Sequence, residues 1–312
     1  MANFTYLANL EISIALTGWA VGLWGMVSGQ EAILQYLYFF AWYPYIIFLD
    51  GLLYRLKGRS WLLNRPRDFG KMLVWSVTVW LVFEALNLVI RNWGYMAVVP
   101  VGWVRWGGYA LAFATVLPGV LLTAEVLEAL KVFRDVKGRA FNLGPWQPVS
   151  LMVGVALLVF PLVWPHYTFP LIWGAFFFLL DPLCDLMGGP ALIVRFAAGE
   201  RRQFLNLLTA GLVCGVWWES WNWFAISKWV YTLPVLNCFK VFEMPLHGYL
   251  GFPPFALECA VMYNFMQALD ERVFTSPRQK RNAWLVQLAF WLVMFAAMDA
   301  WTVISFQQLA GS

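Results

Sequence analysis

Nine apolar stretches, each about 20 residues long and separated by short polar or basic segments, set the pattern of this chain. They fall near residues 9–28, 35–54, 71–91, 107–130, 148–165, 169–187, 204–226, 246–269 and 284–307. At 1.5 Å of rise per residue each is long enough to cross a bilayer as a helix. The pattern predicts an all-α polytopic membrane protein of about nine transmembrane helices.

Composition agrees. With 62% hydrophobic and 12% charged residues, the 312-residue chain has too little polar surface for a soluble globule. Basic residues gather in alternate connections: Arg55, Lys57, Arg59, Arg65, Arg67 and Lys71; Lys131, Arg134, Lys137 and Arg139; Arg195, Arg201 and Arg202; Arg272, Arg278, Lys280 and Arg281. The positive-inside rule makes these loops cytoplasmic, with the N-terminus inside and the C-terminus outside, in what is expected to be a bacterial inner membrane. The net charge of +4 is thus a topology signal, and no patch is extended enough to suit nucleic acid. The opening MANFTYLANLE lacks a positive leader, so the first run is expected to stay as a helix. Cys184, Cys214, Cys238 and Cys259 have no CxxC spacing, which argues against a disulfide framework or a zinc site.

The halves repeat. Trp42, Asp50 and Gly58 follow one another at eight-residue steps, as do Trp173, Asp181 and Gly189. Glu84, Asn87, Trp93, Tyr95 and Pro100 then match Glu219, Asn222, Trp229, Tyr231 and Pro234, and Glu125 aligns with Glu258. Residues 1–140 form a first four-helix repeat, 141–272 a second, and 273–312 a C-terminal transmembrane helix carrying Asp299. An even number of spans per repeat keeps both halves in one orientation, about an axis along the membrane normal.

Acids at bilayer depth are expensive, about 3 kcal/mol each on insertion scales, and mark functional sites by default. Six recur by repeat: Asp50, Glu84 and Glu125, then Asp181, Glu219 and Glu258. No basic residue is predicted within a span to pair with them. A carboxyl withdrawn from water and lacking a cation favours its neutral form, so it can act as a general acid while a neighbouring carboxyl serves as base. The alternative is that the acids bond to Asn87, Asn222, tyrosines or freed backbone amides and hold the bundle together. Aromatic rings stabilise positive charge, and Trp75, Trp80, Trp173, Trp217, Trp218 and Trp221 lie deep enough to line a pocket. Trp103, Trp106, Trp146 and Trp164 suit headgroup anchoring.

Other features add less. Gly251-Phe-Pro253-Pro254 is expected to break the eighth span before Glu258, with Pro118 as counterpart before Glu125; broken helices beside acids are also a transporter feature. Gly18-x3-Gly22, Gly25-x3-Gly29 and Gly211-x3-Gly215 predict close helix contacts, within the bundle or across a homodimer. His166 and His247 share a depth near the outer face, which permits a bis-histidine haem without requiring one; otherwise no cofactor or metal is expected. Lys228 and Lys240 suit interfacial anchoring or an anionic head.

The order Asn222, Trp229, Tyr231, Gly251, Pro254, Glu258, echoed by Asn87, Trp93, Tyr95, Pro118, Glu125, resembles the integral-membrane lycopene cyclase domain of carotenoid biosynthesis. The likeness covers about half the chain as short motifs. Single glutamates stand where that family has pairs, and each half has four spans where the family domain has about three. The resemblance implies an enzyme of the cyclase or isomerase type acting on an isoprenoid or other long lipid. Glu258 or Glu219 is then the acid and the other, or Asp181, the base. Asn222 orients a carboxyl, and Trp218, Trp221, Trp229 and Tyr231 form a wall completed by His247 and Pro254. The alternatives are an ion-coupled carrier and a structural or assembly subunit of a membrane complex.

Overall fold

The computed structural model describes residues 4–235 and 237–304. The first three residues, and positions 305–307 of the expected ninth span, lie outside the described residues. Ten longer helices carry the fold: α1 Thr5–Ser28, α2 Leu37–Lys57, α3 Pro66–Ile90, α4 Gly102–Phe113, α5 Val116–Ala129, α6 Trp146–Val163, α7 Ile172–Leu186, α8 Arg201–Phe224, α9 Phe252–Ala268 and α10 Pro277–Trp301. Among the described residues, seven segments are long and apolar enough to cross a membrane: α1, α2, α3, α4 with α5, α6, α7 with the turns before it, and α10. The protein is thus a largely helical, multi-pass membrane protein. Helices α8 and α9 fall outside that set. One carries Arg201, Arg202, Asn206, Glu219 and Asn222, and the other is only 17 residues long.

Local chemistry sets the helix ends. Gly29 and Gly58 close α1 and α2 in the left-handed conformation that glycine adopts freely. Ser276 opens α10 with a reciprocal capping box to Gln279, and Pro277 occupies the first turn, where its missing N–H is harmless. The prolines expected to break helices lie in the first turn that follows each interruption. Pro253 and Pro254 lie in the first turn of α9, after a 3-10 turn over Leu246–Gly251, and Pro118 lies in the first turn of α5. The break between α4 and α5 is bridged by Ser76, whose Oγ donates to Phe113 O (2.6 Å) and accepts from Leu117 N (2.9 Å).

Small residues bring the helices together. A Cβ on Gly18 or Gly25 of α1 would meet Pro44 or Ile33, and one on Gly211 of α8 would come within 2.3 Å of Phe252 O in α9. Gly18, Gly25 and Gly211 are therefore occupied by contacts inside the bundle. Two strands join the halves: β1 Trp93–Met96 pairs antiparallel with β2 Lys228–Tyr231, setting Trp93 opposite Tyr231 and Tyr95 opposite Trp229. A small hairpin, β3 Lys240–Val241 and β4 Met244–Pro245, lies at the same end. Helix α10 is tied to the first half. Arg105 grips Asp299 with two bonds (2.7 and 2.5 Å), and Tyr95 exchanges backbone bonds with Thr302 and Ile304.

Candidate functional site

The buried acids divide by what they bond. Asp50 Oδ1 accepts from Trp61 N (2.8 Å) and Leu62 N (3.1 Å), the first amides of the short helix Trp61–Asn64. Asp181 does the same for the helix Leu192–Ala197, taking Leu192 N and Ile193 N at 2.8 Å each. Both carboxyls satisfy helix-start N–H groups that have no partner in their own helix. Glu258 meets a similar need. Helix α7 leaves helical geometry at Trp173 (ψ 23°), and the amide of Phe176 donates to Glu258 Oε1 at 2.9 Å.

Glu125 departs from its expected equivalence to Glu258. It accepts from Trp61 Nε1 (2.7 Å) and lies 3.4 Å from Lys57, so this acid has a cation partner although none was expected within a span. Lys57 is the last residue of α2, and its long side chain reaches back along the helix end. Tyr45, three residues past Trp42 as Phe176 is three past Trp173, bonds Thr123 at 2.7 Å.

Glu84 and Glu219 form the other class. Each is wholly buried and accepts a tyrosine hydroxyl: Tyr95 to Glu84 Oε1 at 2.5 Å, Tyr231 to Glu219 Oε1 at 2.6 Å. Among the described residues neither lies within ion-pair distance of a cation, and the second oxygen of each has no hydrogen-bond partner. Burial first, and the adjacent carboxyl second, raise both phenols well above their ordinary range. Each tyrosine therefore keeps its proton and donates. The surroundings differ. Glu84 Oε1 also accepts the indole N–H of Trp80 (2.9 Å) and Trp93 (3.0 Å), whereas Trp229 donates to Tyr231 Oη at 3.1 Å instead.

These pairs flank one cavity of about 200 Å³ at the strand end of the bundle, between the two halves. Its first-half wall includes Tyr38, Trp80, Trp93 and Tyr95; its second-half wall includes Trp173, Trp218, Trp229 and Tyr231, with Phe252 and Phe255 of α9 beneath. Glu219 lines it directly, while Glu84 stands behind Trp80, Trp93 and Tyr95. Arg105 and Lys228 are at its rim. The remaining expected site residues lie elsewhere. Trp221 packs on Trp42 (4.9 Å between ring centres) and Tyr45, His247 is exposed in the Leu246–Gly251 turn, and Pro254 starts α9. His166 is likewise exposed, its ring edge-on to Tyr167.

Asn222, expected to orient a carboxyl, clasps the backbone of Trp229 instead, donating to its O (2.9 Å) and accepting from its N (3.0 Å). Trp80, singled out by depth, and Tyr38, Phe252 and Phe255, which were not singled out, complete the walls. The depth of Trp80 in its span was a signal for it, but nothing in the sequence pairs α2 with α8. Among the described residues no group of three or more metal-ligating side chains is close enough to hold an ion. Compared with models of known families, with curated proteins and with solved structures, the chain matches none.

Proposed function

We propose that the protein is a membrane-embedded enzyme that moves a proton to or from a long apolar molecule of the isoprenoid class, bound in the aromatic cavity. Glu219 is the acid and Tyr231 its positioning partner. One observation carries the reading: Glu219, a buried carboxyl with one unpartnered oxygen, is among the residues around a cavity walled largely by aromatic rings, beside a tyrosine that fixes its other oxygen. Such an acid is effective on a weakly basic substrate because water does not compete for its proton. Glu84, reached through Tyr95, is the second carboxyl and the candidate base. Asp50, Asp181, Glu258 and Asn222 belong to the structural reading of buried polar groups, since their bonds go to backbone amides and carbonyls.

The architecture that goes with this function is nine spans, α8 and α9 included, in two parallel four-helix repeats followed by α10. The antiparallel β1–β2 pair, with its Trp and Tyr partners exchanged, supports a two-fold relation between the halves. Helix-start bonds to Asp50 and Asp181, and backbone clasps by Asn87 and Asn222, support the same relation. With the basic loops in the cytoplasm, the cavity opens toward the outer leaflet. The carrier alternative drew on helices broken beside an acid; the prolines concerned begin α5 and α9.

The test is solvent extraction and mass spectrometry of gently purified protein, with conversion assayed in detergent. A stoichiometric polyprenoid or carotenoid that turns over without a sealed bilayer supports the enzyme. Bulk phospholipid alone, with activity confined to sealed vesicles, favours a carrier.

A further inference from the structure

Proton transfer leaves part of the cavity's electrostatics unused. Five indoles, those of Trp80, Trp93, Trp173, Trp218 and Trp229, line it together with the Glu219 carboxyl. The two cations at its rim are already committed: Arg105 to Asp299 through bonds of 2.7 and 2.5 Å, and Lys228 to Glu243 at 3.0 Å. An anionic head placed among these rings would face Glu219 and find each rim cation already paired. A hard metal ion would need several oxygen ligands, and none of the described residues cluster that way. A compact organic cation meets neither obstacle. It sheds water cheaply, gains from each ring face it touches, and is placed beside Glu219, whose Oε2 is buried and has no hydrogen-bond partner.

We infer that this cavity binds a quaternary ammonium group, with the Trp walls as an aromatic cage and Glu219, ionised when the cation is bound, as the counter-charge. The inference rests on the proposed function only in taking the cavity as the functional site; it needs no proton transfer. The chemistry is shared by a soluble amine and by a choline-type lipid head.

The test is calorimetric titration of the full chain in maltoside detergent with choline and with its uncharged isostere 3,3-dimethylbutan-1-ol. Choline should bind at least about tenfold more tightly, since its charge is attracted to the ring faces and the uncharged alcohol is not. Glu219→Gln should erase most of that preference, while Glu219→Asp, which keeps the charge, should retain it. Dibutyrylphosphatidylcholine separates the sources: tighter binding than choline identifies a lipid head, weaker binding a soluble amine. Equal binding of choline and the alcohol, or a preference unchanged in Glu219→Gln, overturns the inference. A cation preference without any polyprenoid conversion upholds it while defeating the proton-transfer reading, so the two fail separately.

Discussion

Asn87 and Asn222 make the same clasp on two different strands. Asn87 donates to Trp93 O (2.8 Å) and accepts from Trp93 N (3.3 Å); Asn222 does so with Trp229 at 2.9 and 3.0 Å. Each clasp holds the strand that carries a tyrosine to its glutamate two residues on. The position of the Glu–Tyr pairs is thus set by an amide one helical turn beyond each acid, where its two groups match a peptide's N–H and C=O.

Replacing Asn222 with Ala leaves the amide and carbonyl of Trp229 unpaired in a partly buried site. Each such group costs about 1–3 kcal/mol. Thermal unfolding in detergent should show a clear loss of stability, and Asn222→Asp, which keeps the acceptor but loses the donor, should fall between.

Tyr231→Phe keeps the ring and removes the hydroxyl that donates to Glu219 at 2.6 Å. A hydrogen bond to a charged or strongly polar group contributes about 1.5–3 kcal/mol. Proton transfer should slow by about tenfold or more, whereas Tyr6→Phe, at an exposed position, should leave the rate unchanged. Rates measured on the extracted lipid check this.

Gly211 is a close approach of α8 to the backbone of α9. A methyl there would lie 2.3 Å from Phe252 O and 2.9 Å from Ala256 Cβ, so backbone must move. Overpacking of this kind costs about 1–3 kcal/mol. Gly211→Ala should lower the melting temperature, while Gly107→Ala, with nothing within 4 Å, should be neutral or mildly stabilising.

Asp270 follows α9 in the turn Leu269–Val273, at the basic end, bonded to Lys71 (2.7 Å) and Lys280 (3.2 Å). Partial burial pushes its carboxyl upward, but the two lysines outweigh this and hold it below its ordinary value. A depressed carboxyl stabilises the fold fully above the unfolded-state value and loses that contribution as pH falls through the folded one. Acidification below about pH 4 should therefore weaken the tie between α3, α9 and α10. In Asp270→Asn this part of the pH dependence should be missing from thermal melts.

Much of the fold was legible because bilayer-crossing helices need long apolar runs, and these stand out without knowledge of tertiary contacts. The boundaries near proline were not. Pro253 and Pro254 read as a break because their missing N–H groups disrupt a helix interior, whereas a first turn has no bond for them to remove. Spacing singled out the acids but could not sort them. Asp181 and Glu219 look alike in sequence, and only the chain's return path shows one meeting Leu192 and Ile193 amides and the other Tyr231. The cavity was hidden for the same reason: its walls come from helices α2, α3, α4, α5, α7, α8 and α9 and from strands β1, β2 and β4, distant in sequence.

The central claim is that Glu219 exchanges a proton with an apolar molecule in the cavity. The most direct measurement is deuterium uptake by the co-purified or added polyprenoid in heavy water, read by mass spectrometry for the unaltered protein and for Glu219→Gln. The account predicts deuterium at carbon with the unaltered protein and a loss of about a hundredfold or more in the variant, the scale of general-acid catalysis. No uptake by the unaltered protein, or uptake that Glu219→Gln leaves intact, would contradict it.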